Sequence, residues 1–222
     1  KAALELKERI YQRVIDVKGE KFVSKLTPMF VGTIHSFCFQ LLQEHVPKFG
    51  NYDILDSHRH MALISQNRKT LELGEIHSRH WKSLDLFMKA CDAIGNELIS
   101  PKTLVDTQIG VSYELYCDLL ERYQLLTFSM IIAQTVKILQ EDVKVFEKVQ
   151  GALKHLIVDE YQDINPAQEK LIGLLAKDPV NLCVVGDDDQ AIYQWRGSDV
   201  SNILTFDKRY KNVKTIRLET NR

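Results

Sequence analysis

Leu156-Ile-Val-Asp-Glu-Tyr-Gln-Asp163 and Leu182-Cys-Val-Val-Gly-Asp-Asp-Asp-Gln190 decide the fold of this chain. Each is a short apolar run that stops abruptly at carboxylates, as a buried parallel strand does where its carboxyl end carries phosphate and metal chemistry. Between the two, Asn165-Pro166 forms a cap and first-turn pair, and Leu171, Leu174 and Leu175 form a helical stripe. The span therefore reads as strand, helix, strand, with a right-handed crossover and parallel pairing. The class is α/β.

Working outward, a helix is expected from Ser198-Asp199 through Ile203, Leu204 and Phe206, and residues 213–218 alternate as a final strand. Upstream, Phe128, Ile131, Ile132, Val136 and Leu139 make a strong helical stripe with Thr127 as N-cap. Ala3, Leu6, Ile10, Val14 and Val17 predict an amphipathic helix that ends near Gly19. Residues 29–34 read as a buried strand, and Phe37, Leu41 and Leu42 continue as a helix that stops before Pro47. Thr33, His35 and Ser36 would then lie at a strand-to-helix junction, where free amides and hydroxyls hold phosphate.

From Phe49 to Gln124 the pattern changes. Histidine, lysine, serine and glutamate are frequent, the apolar stripes are helical, and no strand is predicted. This is read as a helical insertion, built on Met61-Ala-Leu-Ile64, Leu84-Asp-Leu-Phe-Met88 and Tyr113-Glu-Leu-Tyr-Cys-Asp-Leu-Leu120, with a break at Ser100-Pro101. Trp81, Tyr113 and Tyr116 are expected in its core.

Composition narrows the function. The net charge of -1 argues against a protein that coats nucleic acid by bulk electrostatics, so any such contact is local. No apolar run reaches the roughly 20 residues of a membrane span, and the charged first residues do not read as a signal peptide, so a soluble intracellular protein is expected. Cys38, Cys91, Cys117 and Cys183 are widely spaced among apolar residues and are expected as reduced core thiols. His58, His60, His77 and His80 lack partners at ligand spacing and are expected as solvated side chains.

The chemistry concentrates after the two strands. Of the adjacent Asp159 and Glu160, one can hold a magnesium ion, which needs only one or two carboxylates beside phosphate and water. The other, Glu160, is the candidate base for an attacking water. Gly186 permits a sharp turn, and Gln190 can bridge a phosphate or the water without adding charge. Tyr193, Trp195 and Arg196 follow, an aromatic and arginine cluster on which bases of any sequence can stack.

Val158 to Asp163, Gly186 to Gly197 and Gly32 to Phe37 together resemble the UvrD/Rep/PcrA group of superfamily 1 DNA helicases in order and spacing. Residues 1–10 resemble the tail of that family's motif after the P-loop, and residues 217–222 the start of its fourth motif; the final Arg222 is not assigned the phosphate-contacting role. The resemblance implies a RecA-like, P-loop NTPase-type parallel-sheet domain with an inserted all-helical subdomain. Residues 1–48 and 125–222 would form part of the first RecA-like domain and residues 49–124 the insertion. It further implies an ATP-dependent motor that couples Mg-ATP hydrolysis to movement along single-stranded DNA, with a single-strand or single-strand/duplex junction as partner. Such a motor is expected in the bacterial cytoplasm, at the nucleoid, with DNA repair among its roles.

Carried over by position, Asp159 would ligate Mg2+ and contact nucleotide, Glu160 would activate water, and Gln190 would read the terminal phosphate. Tyr193 and Trp195 would stack on bases, and Thr33, His35 and Arg196 would line the DNA. Gln162 and Asp163 would organise the motif. The pattern Gly-x-x-x-x-Gly-Lys-Ser/Thr occurs nowhere in these 222 residues, so the segment alone is expected to be inactive in hydrolysis. Two other readings stay open: a non-catalytic remnant that binds DNA or protein, and a two-metal nuclease.

Overall fold

The computed structural model describes residues 2–26, 29–190 and 201–218. Helix α1 (Ala2–Lys18) follows the predicted apolar stripe and stops where Gly19 takes φ +86°, a conformation that costs glycine little. Helix α2 (Ile34–His45) begins at Thr33, whose hydroxyl accepts the Ser36 amide at 3.1 Å. The buried strand predicted for residues 29–34 does not form. Ser36 Oγ donates to the Thr33 carbonyl at 2.8 Å, and Phe30 turns its ring edge-on to Phe37 at 5.4 Å, so local bonds and packing hold the segment in an irregular path.

Two small parallel sheets position the rest. Strand β1 (Asp53–Leu55) pairs with β2 (Leu125–Thr127), and β3 (His155–Val158) pairs with β4 (Asn181–Val184) in the register Ile157 to Cys183. The second pair, joined through helix α8 (Pro166–Leu175), is the strand-helix-strand unit read from the sequence. Asn165 accepts the Gln168 amide while Gln168 accepts the Asn165 amide, a reciprocal cap that fixes where α8 starts. β1 lies within the stretch expected to hold only helices; three residues are too few for a period to show. Residues 213–218 form no strand, and Ile216 and Leu218 are exposed.

Helices α3 (Ser57–Gln66), α4 (His80–Asn96) and α5 (Gln108–Tyr123) lie between the two halves of the first sheet in sequence. α6 (Phe128–Glu141), capped by Thr127 as predicted, and α7 (Val143–Ala152) follow β2. After the second sheet come the short α9 (Ser201–Leu204) and α10 (Phe206–Arg209), split at Thr205 where one continuous helix was expected.

One hydrophobic core runs through α2 to α8. Leu42, Ile64, Phe87, Tyr116, Leu120, Ile131, Ile132 and Leu171 are all within 1 % of complete burial. Each such side chain contributes roughly 1.5–3 kcal/mol. α4 can cross α6 closely because Gly95 has no side chain; a Cβ there would lie 2.6 Å from Cβ of Ser129. Tyr113 and Tyr116 are core as expected, but Trp81 is 65 % exposed. All four cysteines are free; Cys38 and Cys91 are buried, whereas Cys183 lies exposed on the uncovered face of β4.

His60 corrects another expectation, since it is buried rather than solvated. Its Nε2 shares a hydrogen bond of 2.5 Å with the Tyr116 hydroxyl, and burial pushes its pKa down to about 4. The folded protein thus refuses a proton that the unfolded chain accepts near pH 6.5. Stability from this group is complete above that pH and declines as pH falls toward 4, by at most about 3 kcal/mol. In urea titrations at pH 7.5 and 4.5, His60→Gln is expected to lose less stability on acidification than the parent. Equal losses would show that His60 contributes nothing to acid sensitivity.

Candidate nucleotide and strand-binding site

The site is assembled where β3 and β4 end together. The Val185 amide donates to the Val158 carbonyl at 2.8 Å, and the Tyr161 amide donates to the Val185 carbonyl at 2.9 Å, which locks the turn after β3 onto the end of β4. Asp159 is exposed and makes no hydrogen bond among the described residues. Glu160 sits at φ +52°, ψ +44°, a left-handed conformation uncommon for a residue with a side chain. This sharp reversal starts a 3-10 turn over Tyr161–Asp163 and leaves both carboxylates at the solvent edge.

Behind them lies a buried amide. Gln162 is 1 % exposed; its Nε2 donates to Glu160 Oε2 at 2.7 Å, and its Oε1 accepts the Asp187 amide at 3.0 Å. Asp187 in turn accepts from Gln190 Nε2 at 2.7 Å and from the Asp189 amide at 3.1 Å. Gly186 is required for this approach, because a Cβ would lie 2.6 Å from Gln162 Oε1. Burial, with the neighbouring Glu160 charge second, raises the Asp163 pKa, and Asp163 Oδ1 is buried without a hydrogen-bond partner among the described residues.

A second network braces the turn from below. Tyr161 is fully buried, and its hydroxyl donates to Glu169 of α8, which also accepts from Arg209 and Tyr210 of the C-terminal segment. Phe206 packs edge-on to Tyr161 at 5.4 Å. The sequence reading missed Glu169 and Arg209. Their spacing carries no motif, and only the fold brings them together.

Thr33 and His35 lie at the first turn of α2. Ile34, between them, packs against both the main core and the cluster of Val158, Tyr161, Ile164 and Ile172 under β3, so α2 begins beside the carboxylate turn. His35 meets Phe128 edge-on at 5.4 Å, and burial lowers its pKa. Phe128, 44 % exposed at the first residue of α6, was read from the sequence only as part of a core stripe. Tyr193, Trp195 and Arg196 lie outside the described residues.

Among the described residues, no three His, Cys, Asp or Glu side chains gather to hold a metal ion. The exposed Asp159 carboxylate suits a magnesium ion that keeps most of its waters and takes its other ligands from phosphate. Among the described residues, no helix is long and apolar enough to cross a membrane.

The chain thus carries an α/β unit with two adjacent carboxylates at the end of β3 and a buried glutamine that bridges to the loop after β4. Residues 1–211 match the model of the UvrD/REP helicase N-terminal domain, and the chain belongs to that family. Membership implies a RecA-like fold; the described residues form two small parallel sheets in a helix-rich body. The chain is 35 % identical over its whole length to the ATP-dependent DNA helicase PcrA of Staphylococcus aureus (strain Mu50 / ATCC 700699), and 33 % identical to that of Staphylococcus epidermidis (strain ATCC 12228 / FDA PCI 1200). It spans 30 % of the length of each of these relatives.

Proposed function

We propose that these residues form part of the motor of an ATP-dependent DNA helicase that couples Mg-ATP hydrolysis to movement along single-stranded DNA, acting in the bacterial cytoplasm. The observation that carries this reading is an exposed Asp159, without a hydrogen bond among the described residues, next to a tethered Glu160 beside the Gln190 loop. Asp159 would hold the magnesium ion, which neutralises phosphate charge when bound. Glu160 would accept a proton from the attacking water, and Gln190 would contact the terminal phosphate. Thr33 and His35 would meet the strand at the start of α2, with Phe128 beside His35 offering a further stacking face. Tyr193, Trp195 and Arg196 would extend that surface.

Residues 49–124 would serve as the helical insertion between the two RecA-like segments, 1–48 and 125–222. The 222 residues alone would not turn over ATP, since no phosphate-cradling Gly-x-x-x-x-Gly-Lys-Ser/Thr lies within them.

The test is ATP turnover by the full-length protein with and without an unstructured oligothymidylate, together with strand displacement on a duplex bearing a single-stranded tail. Turnover that rises with the oligonucleotide is expected. Nucleotide binding or DNA binding without any turnover would favour the non-catalytic reading instead.

A further inference from the structure

The hydrogen bonds at the strand ends form an unbroken path from Gln190 to Asp187, from Asp187 to Gln162 and from Gln162 to Glu160. Only Gln162 in that path is buried, and both ends of its amide are used. Its orientation is fixed by its neighbours: the Asp187 N–H must face an oxygen, which leaves the NH2 toward the Glu160 carboxylate. A leucine in its place would fill the volume but leave the Asp187 amide and one Glu160 oxygen without partners.

We infer that Gln162 is a positioning residue that ties the orientation of the Glu160 carboxylate to the conformation of the Gly186–Gln190 loop. The inference rests on the ATPase reading proposed above and deepens it. Asp187 cannot shift without moving the amide oxygen to which its N–H donates at 3.0 Å. At Gly186 the same oxygen leaves no room for a side chain, since an added Cβ would lie 2.6 Å from Gln162 Oε1. The buried amide carries the displacement to the opposite side of the turn, where Nε2 grips Glu160 at 2.7 Å. Glu160 has little independent freedom to compensate, because its backbone is held in a left-handed turn closed by the Asp163 amide. A loop displaced by a ligand at its surface would therefore turn the carboxylate as well. The loop runs directly into the Tyr193 to Arg196 segment in sequence, so strand binding there has a covalent route to it.

Gln162→Leu and Gln162→Glu in the full-length protein separate positioning from simple structural support. Three quantities are read: affinity for a fluorescent ATP analogue with Mg2+, the thermal midpoint, and turnover with and without oligothymidylate. For Gln162→Leu, nucleotide affinity is expected to stay within a few-fold, while oligonucleotide-stimulated turnover falls by about ten- to a hundredfold, the usual cost of losing a group that orients a reacting residue. The ratio of stimulated to basal turnover should move toward one.

Gln162→Glu places two carboxyl groups in contact. Its turnover should recover as pH is lowered from 8 toward 6, because a protonated Glu can donate to Glu160 as the amide does. A stimulation ratio unchanged in both variants, or nucleotide affinity and thermal midpoint falling in step with turnover, would overturn the assignment. Absence of stimulated turnover in the unsubstituted protein would instead sink the ATPase reading on which it rests.

Discussion

Glu160→Gln in the full-length protein is expected to lower DNA-stimulated ATP turnover by about 10²- to 10⁴-fold, the range over which a positioned general base contributes. Affinity for Mg-ATP should be nearly unchanged. The structure explains why the two quantities separate. Glu160 Oε2 accepts from Gln162, and the amide oxygen of a glutamine at position 160 can accept the same bond, so the turn keeps its shape. Asp159, the group proposed to hold the ion, is untouched and makes no hydrogen bond to Glu160 among the described residues. What would be lost is the lone pair proposed to take the proton. Single-turnover hydrolysis measured beside equilibrium binding of a nucleotide analogue distinguishes the cases. Affinity that collapses together with turnover would make Glu160 a structural residue or a metal ligand.

The strand ends were legible in the sequence because both runs change character at one residue. Val158 to Asp159 and Val185 to Gly186 mark abrupt transitions, and the cap at Asn165-Pro166 fixed the helix between them. The bridge through Gln162 was not legible in detail, since a buried amide and an exposed one look alike in a sequence. Apolar composition also misled where local bonding prevailed. Residues 29–34 have the composition of a strand, yet Thr33 and Ser36 bond to one another and start a helix instead. The uncovered face of β3 and β4 shows the same limit: Ile157 is 73 % exposed although its run reads as buried on both sides. Histidine at position 60 was misjudged because its partner, Tyr116, is 56 residues away.

Phe87→Ala is expected to destabilise the protein by about 3–5 kcal/mol, the cost of removing a large ring from a close-packed core. Phe87 is fully buried on α4, with its ring edge-on to Tyr116 at 5.6 Å, and Tyr116 is bound to His60 on α3. The cavity would open where α3, α4 and α5 meet, within residues 49–124. Its consequence should extend further, because the same core continues into α2, α6 and α8. α4 reaches α6 through the bare Gly95 contact and α8 through a 3.1 Å hydrogen bond from Asn165 to Asn96. Amide hydrogen exchange followed by mass spectrometry reads each helix separately. Protection in α4, α5, α6 and α8 is expected to fall together, with α8 weakening beneath the carboxylate turn that it supports through Glu169. Loss confined to α3, α4 and α5 would instead show that residues 49–124 unfold as an independent unit. In that case residues 49–124 would be free to move against the carboxylate turn, and the Asn96 to Asn165 bond would mark a contact that breaks when they do.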